Sequence, residues 1–213
     1  MATNLFLNYF IDKNADRQQE LDFCIHQNIL NNSIDNIILI VSAEDFTKMT
    51  IPDEERICIV VKEERPTYND YFNLFIVGGI NIISNLDIII PQETIALLPN
   101  YFATPSKRCL ALTRYDITGI IESSFDSVFF NRTDSQDTWV FNDAVPQIEN
   151  ANFTLGSRGC DNAIAHILEQ NGYEVLNPSL TLKTYHYHVT NVRNYTQESP
   201  AVPPPYKLLP PTE

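Results

Sequence analysis

Runs of β-branched and aromatic residues divide the first half of the chain into regular blocks. Leu5 to Ile11 is apolar and aromatic and predicts a buried strand. Leu21, Ile25 and Ile29 then recur at helical spacing, with Phe23 near the same face, which predicts a helix capped by Asp16 and running towards Leu30. Ile37 to Val41 and Ile57 to Val61 are continuous β-branched runs of the kind found in parallel strands covered on both faces. Tyr68 to Ile76 reads as a helix closed by Gly78-Gly79. Ile80 to Ile83 and Ile88 to Ile90 read as strands around the polar centre Ser84, Asn85 and Asp87. A short helix over Glu93 to Leu98 and a strand over Arg108 to Arg114 follow.

The alternation of strands with helices predicts an α/β domain with a mostly parallel sheet. The second half is less regular. Ser123 to Asn152 is loop-rich, with short strands around Val128-Phe129-Phe130 and Trp139-Val140-Phe141. A helix from Asp161 to Gln170 ends at Asn171-Gly172, and Tyr173 to Leu176 and Leu180 to Val189 read as strands. From Ser199 the composition turns proline-rich, which favours an extended conformation. The expected organisation is one domain over residues 1–195, with a nucleotide-binding half over 1–115 and an acceptor and catalytic half over 116–195. Residues 196–213 form a proline-rich tail or a linker towards further C-terminal domains.

Charge narrows the functional classes. The 213 residues carry 14 Lys+Arg against 27 Asp+Glu, a formal net charge of -13. Such a chain lacks the basic stripe that nucleic acid or anionic lipid requires. A phosphorylated ligand remains compatible if a metal ion stands between the two. No apolar run reaches the roughly 18 residues of a membrane span. The first residues lack the basic region and cleavage site of a secretory signal. The four cysteines are widely spaced and read as reduced thiols, so a cytoplasmic location is expected.

Ligands of open α/β sheets bind outside the carboxyl ends of the strands, and three polar clusters fall at such places. Ser84-Asn85-Leu86-Asp87 interrupts an isoleucine-rich stretch, and an acidic group there suits Mg²⁺ or Mn²⁺. The plain alternative is a polar turn. His186 and His188, two apart on a strand, point to one face and can complete a metal site with Asp87. An exposed or hydrogen-bonded edge is the alternative there. The third cluster is acidic: Asp137 in Ser135-Gln136-Asp137-Thr138-Trp139, and Asp161 in Gly159-Cys160-Asp161-Asn162 at a helix start. Either carboxylate can act as a general base; an N-cap role for Asp161 and a loop role for Asp137 are the alternatives.

The order of these clusters resembles the nucleotide-sugar glycosyltransferases of the GT-A fold. Asn85-Leu86-Asp87 takes the place of the DxD motif, and Asp161-Asn162 that of the acidic motif heading a helix. Gly172-Tyr173-Glu174-Val175, Pro178 and then His186 and His188 follow in the family's order. Within the family the sequence is most similar to the small glycosyltransferase domains of chlorella-virus capsid-glycosylating proteins. The Ser-Gln-Asp-Thr-Trp and Gly-Cys-Asp-Asn segments and the proline-rich end carry that likeness over nearly the whole chain to about residue 195. Two positions depart from the family pattern: Asn85 replaces the first DxD carboxylate and Asn162 the second acidic residue.

The resemblance implies a GT-A fold with a central, mostly parallel mixed sheet flanked by helices. It implies a UDP-sugar donor, a Mn²⁺ or Mg²⁺ cofactor, and a glycan or glycoprotein acceptor, with a hexose or deoxyhexose such as rhamnose transferred. The setting would be viral capsid glycosylation in the host cytoplasm. Metal would be held by Asp87 with His186 or His188, with Asn85 supporting. Asp161 is the first choice of base and Asp137 the second; inversion is favoured and retention stays open. Tyr9 and Phe10 are candidates to stack on the base, Arg65 and Tyr68 to contact nucleotide or phosphate, and Ser84, Asn85 and Asp87 to meet the donor. Two other classes compete. A sugar-nucleotide nucleotidyltransferase would carry a Gly-rich basic loop after the first strand, whereas Asn8 to Asp16 has no glycine and one basic residue, Lys13. A non-catalytic carbohydrate-binding or capsid-assembly module would account for Asn85 and Asn162.

Overall fold

The first strand, β1 (Thr3–Tyr9), shows how the sheet is covered. Its side chains alternate between faces, as a pleated strand requires. Leu5 and Leu7 enter one apolar cluster and Phe6 enters another. In chain order the elements that follow are α1 (Ala15–Leu30), β2 (Asn36–Val41), α2 (Ala43–Phe46), β3 (Ile57–Val61), α3 (Tyr68–Leu74), β4 (Ile80–Ser84), β5 (Ile88–Ile89) and α4 (Gln92–Tyr101). Then come β6 (Arg108–Leu112), β7 (Tyr115–Ile121), β8 (Ser124–Phe129), β9 (Thr138–Phe141), α5 (Cys160–Gln170), β10 (Glu174–Leu176) and β11 (Tyr185–His186). The computed structural model describes residues 1–52, 54–103, 107–121, 124–190 and 200–213.

Seven strands form the central sheet in the order β10-β6-β9-β4-β1-β2-β3. All neighbours are parallel except β9, which runs antiparallel between β4 and β6. This is the expected α/β sheet, mixed and mostly parallel. One face packs on α1 and α4 through Leu21, Ile25, Ile29, Ile95 and Leu98. The other packs on α3 and α5 through Tyr68, Tyr71, Phe72, Ile164 and Leu168, with Trp139 fully buried among them. A second sheet, β5-β11-β7-β8, stands beside the first.

Several local expectations change. The cap of α1 is Asn14, whose side chain accepts a hydrogen bond from Arg17 N; Asp16 lies in the first turn. β3 is the sheet's edge and pairs with a neighbour on one side only, and Cys58, Ile59 and Val61, which point to both faces, are exposed. Tyr115–Ile121, unassigned in the sequence, is a strand of the second sheet. The strand expected over Leu180 to Val189 contracts to β11. Among the described residues, no helix is long and apolar enough to cross a membrane.

The expected boundary between residues 195 and 196 lies outside the described residues, as does Ser123. Residues 200–213 lie against the domain. Val202 N donates to Arg158 O, Lys207 N to Asn162 O, Leu209 N to Thr133 O and Thr212 N to Asn177 O, at 2.7–2.9 Å. Leu209 is 3% exposed and joins the cluster that contains α5. Gly159, with φ +77°, heads that helix, and a Cβ there would meet the Tyr206 hydroxyl at 2.9 Å. Leu209→Ala should cost about 2–4 kcal/mol through the cavity it leaves. Urea unfolding measures this, and a variant within about 0.5 kcal/mol of the parent would show the segment contributes nothing.

Candidate active site

β1 leads to β2 on one side and β4 joins it on the other, so the strand order reverses between β1 and β4. Open α/β sheets bind ligands at such a switch point. Here the carboxyl ends of β1 and β4 carry Tyr9-Phe10 and Asn85-Leu86-Asp87, and both line a cleft of about 600 Å³.

The second sheet supplies the facing wall. β11 pairs with β5 so that His186 stands opposite Ile88, and with β7 so that it stands opposite Asp116. Tyr187 N donates to Asp87 O at 3.1 Å, which ties the histidine strand to the turn after β4. His186 Nδ1 is 2.7 Å from Asp116 Oδ1, and its Nε2 is 3.3 Å from Asp87 Oδ2. Asp87, His186 and His188 each offer a ligand atom, all within 4.8 Å of one another. Nε2 of His188 is buried and has no hydrogen-bond partner among the described residues. A buried imidazole nitrogen beside a carboxylate and a second imidazole is a donor set that fits a divalent cation.

Charges alternate along this wall. Glu20 Oε2 accepts from Arg17 Nη1 at 2.8 Å, and Arg17 Nη2 pairs closely with Asp87. Beyond His186 and Asp116, Arg114 Nε reaches Asp116 at 2.8 Å and its Nη1 reaches both oxygens of Asp137 at 3.1 Å. Asn85 Nδ2 closes the row on Asp137 Oδ1 at 2.9 Å. Glu20 also accepts from Val189 N, Thr190 N and Thr190 Oγ1, and so holds the backbone that follows His188.

These contacts set the proton affinities. Burial favours the neutral Asp87 carboxyl, but the hydrogen bonds and charges of His186 and Arg17 outweigh it and hold the group well below the usual carboxylate range. Asp116 falls to about 2, its burial outweighed by His186 and Arg114. Burial disfavours the His186 cation, yet Asp116 and Asp87 raise it to about 9. His188 is lowered by burial, then by Arg17 and His186, which keeps its ring neutral.

The sequence candidates divide. Tyr9, Phe10, Arg65, Ser84, Asn85, Asp87, Asp137, His186 and His188 line the cleft. Ser84 is 1% exposed and its hydroxyl is engaged with Asp137 O and Thr138 Oγ1. Arg65 packs against Gly156, where an added Cβ would sit 2.8 Å from its guanidinium. Tyr68 does not reach the cleft: its ring is 0% exposed and packs edge-on against Trp139 and Phe153, so the nucleotide contact assigned to it gives way to a core role. Asp161 is also absent from the cleft walls. Its Oδ2 accepts from Gln136 N at 3.4 Å and its Oδ1 from Cys160 Sγ at 3.2 Å, one residue behind Asp137. Burial, then the charge of Asp137, raises it to about 7.

Arg17, Glu20, Arg114 and Asp116 were not singled out from the sequence. Arg17 carried a weak signal as a cation in the first helix after the first strand. Asp116 pairs with a residue 70 positions away, and no local pattern announces that.

No family model and no curated protein matches the sequence. Solved structures do match its fold. The mannosyltransferase PcManGT from Pyrobaculum calidifontis, in complex with GDP-Man and Mn²⁺, superposes with a TM-score of 0.52 at 13% identity, over 91% of this chain and 58% of that one. S. aureus TarS 1–349, in complex with UDP-GlcNAc, gives 0.56 at 10% identity, over 90% and 60%. The inositol-1-phosphate CTP transferase from T. maritima gives 0.50 at 10% identity, over 87% and 89%. The chain thus spans about 60% of the length of the two glycosyltransferases. At these identities the likeness establishes the fold, an α/β architecture of GT-A type.

Two outcomes follow from the buried carboxylates. Asp161 holds a proton in the folded chain that the unfolded chain has lost between pH 4 and pH 7. Its contribution to stability therefore falls as pH rises through that window. Asp161→Asn should raise the melting temperature more at pH 8 than at pH 5, by a difference worth a few kcal/mol at most. Equal gains at both pH values would contradict this. Glu20→Ala leaves the Arg17 guanidinium with Asp87 as its one carboxylate and two backbone N–H groups without their acceptor, and should cost about 2–4 kcal/mol in denaturant unfolding. A loss under about 1 kcal/mol would mean that the Glu20 contacts contribute little to the fold.

Proposed function

We propose that this chain is a metal-dependent glycosyltransferase that moves a hexose or deoxyhexose from a UDP-sugar to a glycan or glycoprotein acceptor. The observation that carries the reading is the convergence of Asp87, His186 and His188 at the switch point between β1 and β4. Two of the structural relatives were solved with sugar nucleotides, one of them with Mn²⁺ as well. The resemblance to chlorella-virus enzymes supports a rhamnose-type donor and a role in capsid glycosylation.

Asp87, His186 and His188 hold the cation in this reading, which would neutralise the charge that develops on the departing nucleoside diphosphate. Tyr9 and Phe10, which line the cleft at the end of β1, would meet the nucleobase in this reading, Phe10 with the more exposed ring. Arg65, seated on Gly156, offers a cation to the phosphates. The attacking hydroxyl needs a base on the opposite side from the leaving group for inversion. Asp137 has the access, since it lines the cleft, and Asp161 has the basicity. Arg114 and Asn85 fix the Asp137 carboxylate in place.

A nucleotidyltransferase is the second reading. The likeness to the CTP transferase covers 89% of that protein, which favours it. Against it stands the glycine-free turn after β1.

UDP with Mn²⁺ should raise the melting temperature by several degrees, and EDTA should abolish the rise. Asp87→Ala should remove the metal-dependent part. The proposal fails if no nucleotide at millimolar concentration shifts the melting temperature. Pyrophosphate release from a nucleoside triphosphate would transfer the assignment to the second reading.

A further inference from the structure

Three buried polar side chains stand behind the cleft wall without lining it: Thr113, Asn177 and Ser179, at 0%, 2% and 0% exposure. Buried polar groups are unfavourable unless paired, and here each finds a partner. Both amide hydrogens of Asn177 are used, one on Thr113 Oγ1 and one on Leu209 O, each at 2.9 Å. Its Oδ1 accepts from Ser179 Oγ and, at 3.3 Å, from Thr113 N, which also donates to Ser179 Oγ at 2.8 Å. Its main-chain oxygen accepts from Thr212 N at 2.7 Å and from Thr212 Oγ1 at 3.2 Å.

Thr113 Oγ1 accepts from Asn177, so its own proton is left for donation, and Ser135 O lies 3.0 Å away. The bonds run in one direction, from the Asn177 amide to the Thr113 hydroxyl to the Ser135 carbonyl, and each polarises the next. Ser135 stands two residues before Asp137, and Thr113 precedes Arg114, whose Nη1 holds both Asp137 oxygens at 3.1 Å. Asp137 N donates to Leu112 O at 3.0 Å, on the other side of Thr113. Residues 200–213 also reach this loop directly, since Leu209 N donates to Thr133 O at 2.8 Å. The segment therefore grips the Asp137 loop at two points: at Thr133 through its own backbone, and at Ser135 through Asn177 and Thr113.

We propose that Asn177 and Thr113 are positioning residues, and that residues 200–213 work through them as a brace that sets the Asp137 carboxylate against Arg114. The consequence for catalysis rests on the proposed reading of Asp137 as a base at the cleft. The brace bears on the 133–137 loop and touches none of Asp87, His186 and His188. Loosening it therefore acts on turnover more than on the binding of UDP and metal.

Hydrogen exchange in the full-length chain tests the brace without substrate. Thr113→Val keeps the shape of the side chain and removes the hydroxyl. Exchange of the 133–137 amides should rise about tenfold, the order expected for one buried hydrogen bond, while that of β1 and β2 stays at the parent's. Thr113→Ser, which keeps the hydroxyl, should restore the parent rate. Leu209→Ala, which loosens the segment itself, should raise exchange at the same amides above that of β1 and β2. Parent-like exchange at 133–137 in Thr113→Val, or a rise equal to that of β1 and β2, overturns the inference. UDP release from a UDP-hexose with Mn²⁺ measures the catalytic consequence. In Thr113→Val, kcat should fall with donor KM nearly unchanged, and Thr113→Ser should recover it. Faster loop exchange with unchanged kcat would overturn the positioning role. A parent chain that releases no UDP removes the glycosyltransferase reading and leaves the brace to be decided by exchange alone.

Discussion

The cleft is held open by a row of alternating charges: Glu20, Arg17, Asp87, His186, Asp116, Arg114 and Asp137. These groups come from α1, the turn after β4, β11, the β6–β7 connection, β7 and the loop before β9. The row ties these elements to one another at this end of the sheet. Buried charges are tolerated when each has an opposite neighbour, and removing one leaves two uncompensated. The order of signs therefore fixes which side chains can face the cleft. Asp87 is favoured as the anion by His186 and Arg17, and His186 as the cation by Asp116 and Asp87.

This arrangement explains how an acidic protein can suit an anionic ligand. At the cleft wall Asp87, Asp116 and Asp137 each face a base or an imidazole. Of the cleft cations, Arg17 and Arg114 are neutralised by the row, while Lys62, paired with Asp70, and Arg65 stand outside it. The net charge of -13 thus argues against polyanions and says little about a single diphosphate. What decides that question is local charge at one point of the sheet.

The sheet was legible because its strands are long apolar runs with the period of a two-sided core. Leu5, Phe6 and Leu7, and Ile37 to Val41, announce themselves without help from the rest of the chain. β7 escaped notice because Tyr115–Ile121 is half-exposed and mixes polar with apolar residues. β11 shrank because only Tyr185 and His186 find partners on both sides. The Asp87–His186–His188 cluster was legible from order along the chain, since Asp87 and the two histidines each lie near a strand end. The partners that orient it were not, because an Arg17–Asp87 or Asp116–His186 pair joins residues 70 apart, and local pattern carries no such information. The proline-rich segment was read from composition alone. Composition reports extended backbone, and the burial of Leu209 beside α5 depends on a tertiary surface that composition does not describe.

The two candidate bases illustrate a tension built into such sites. A carboxylate that lines a cleft is held there by cations and donors, which fix its orientation. Asp137, fixed by Arg114 and Asn85, is of this kind. A carboxylate withdrawn behind the wall escapes those contacts and gains proton affinity, as Asp161 does beside Gln136 and Cys160. Geometry and basicity therefore fall on adjacent residues, with the charge of Asp137 itself raising Asp161. Any change that shifts the 135–137 loop, on which Arg114, Asn85 and Asp161 all bear, alters both properties together. The loop is thus the point at which the charge row, the acidic pair and the α5 helix become one mechanical unit.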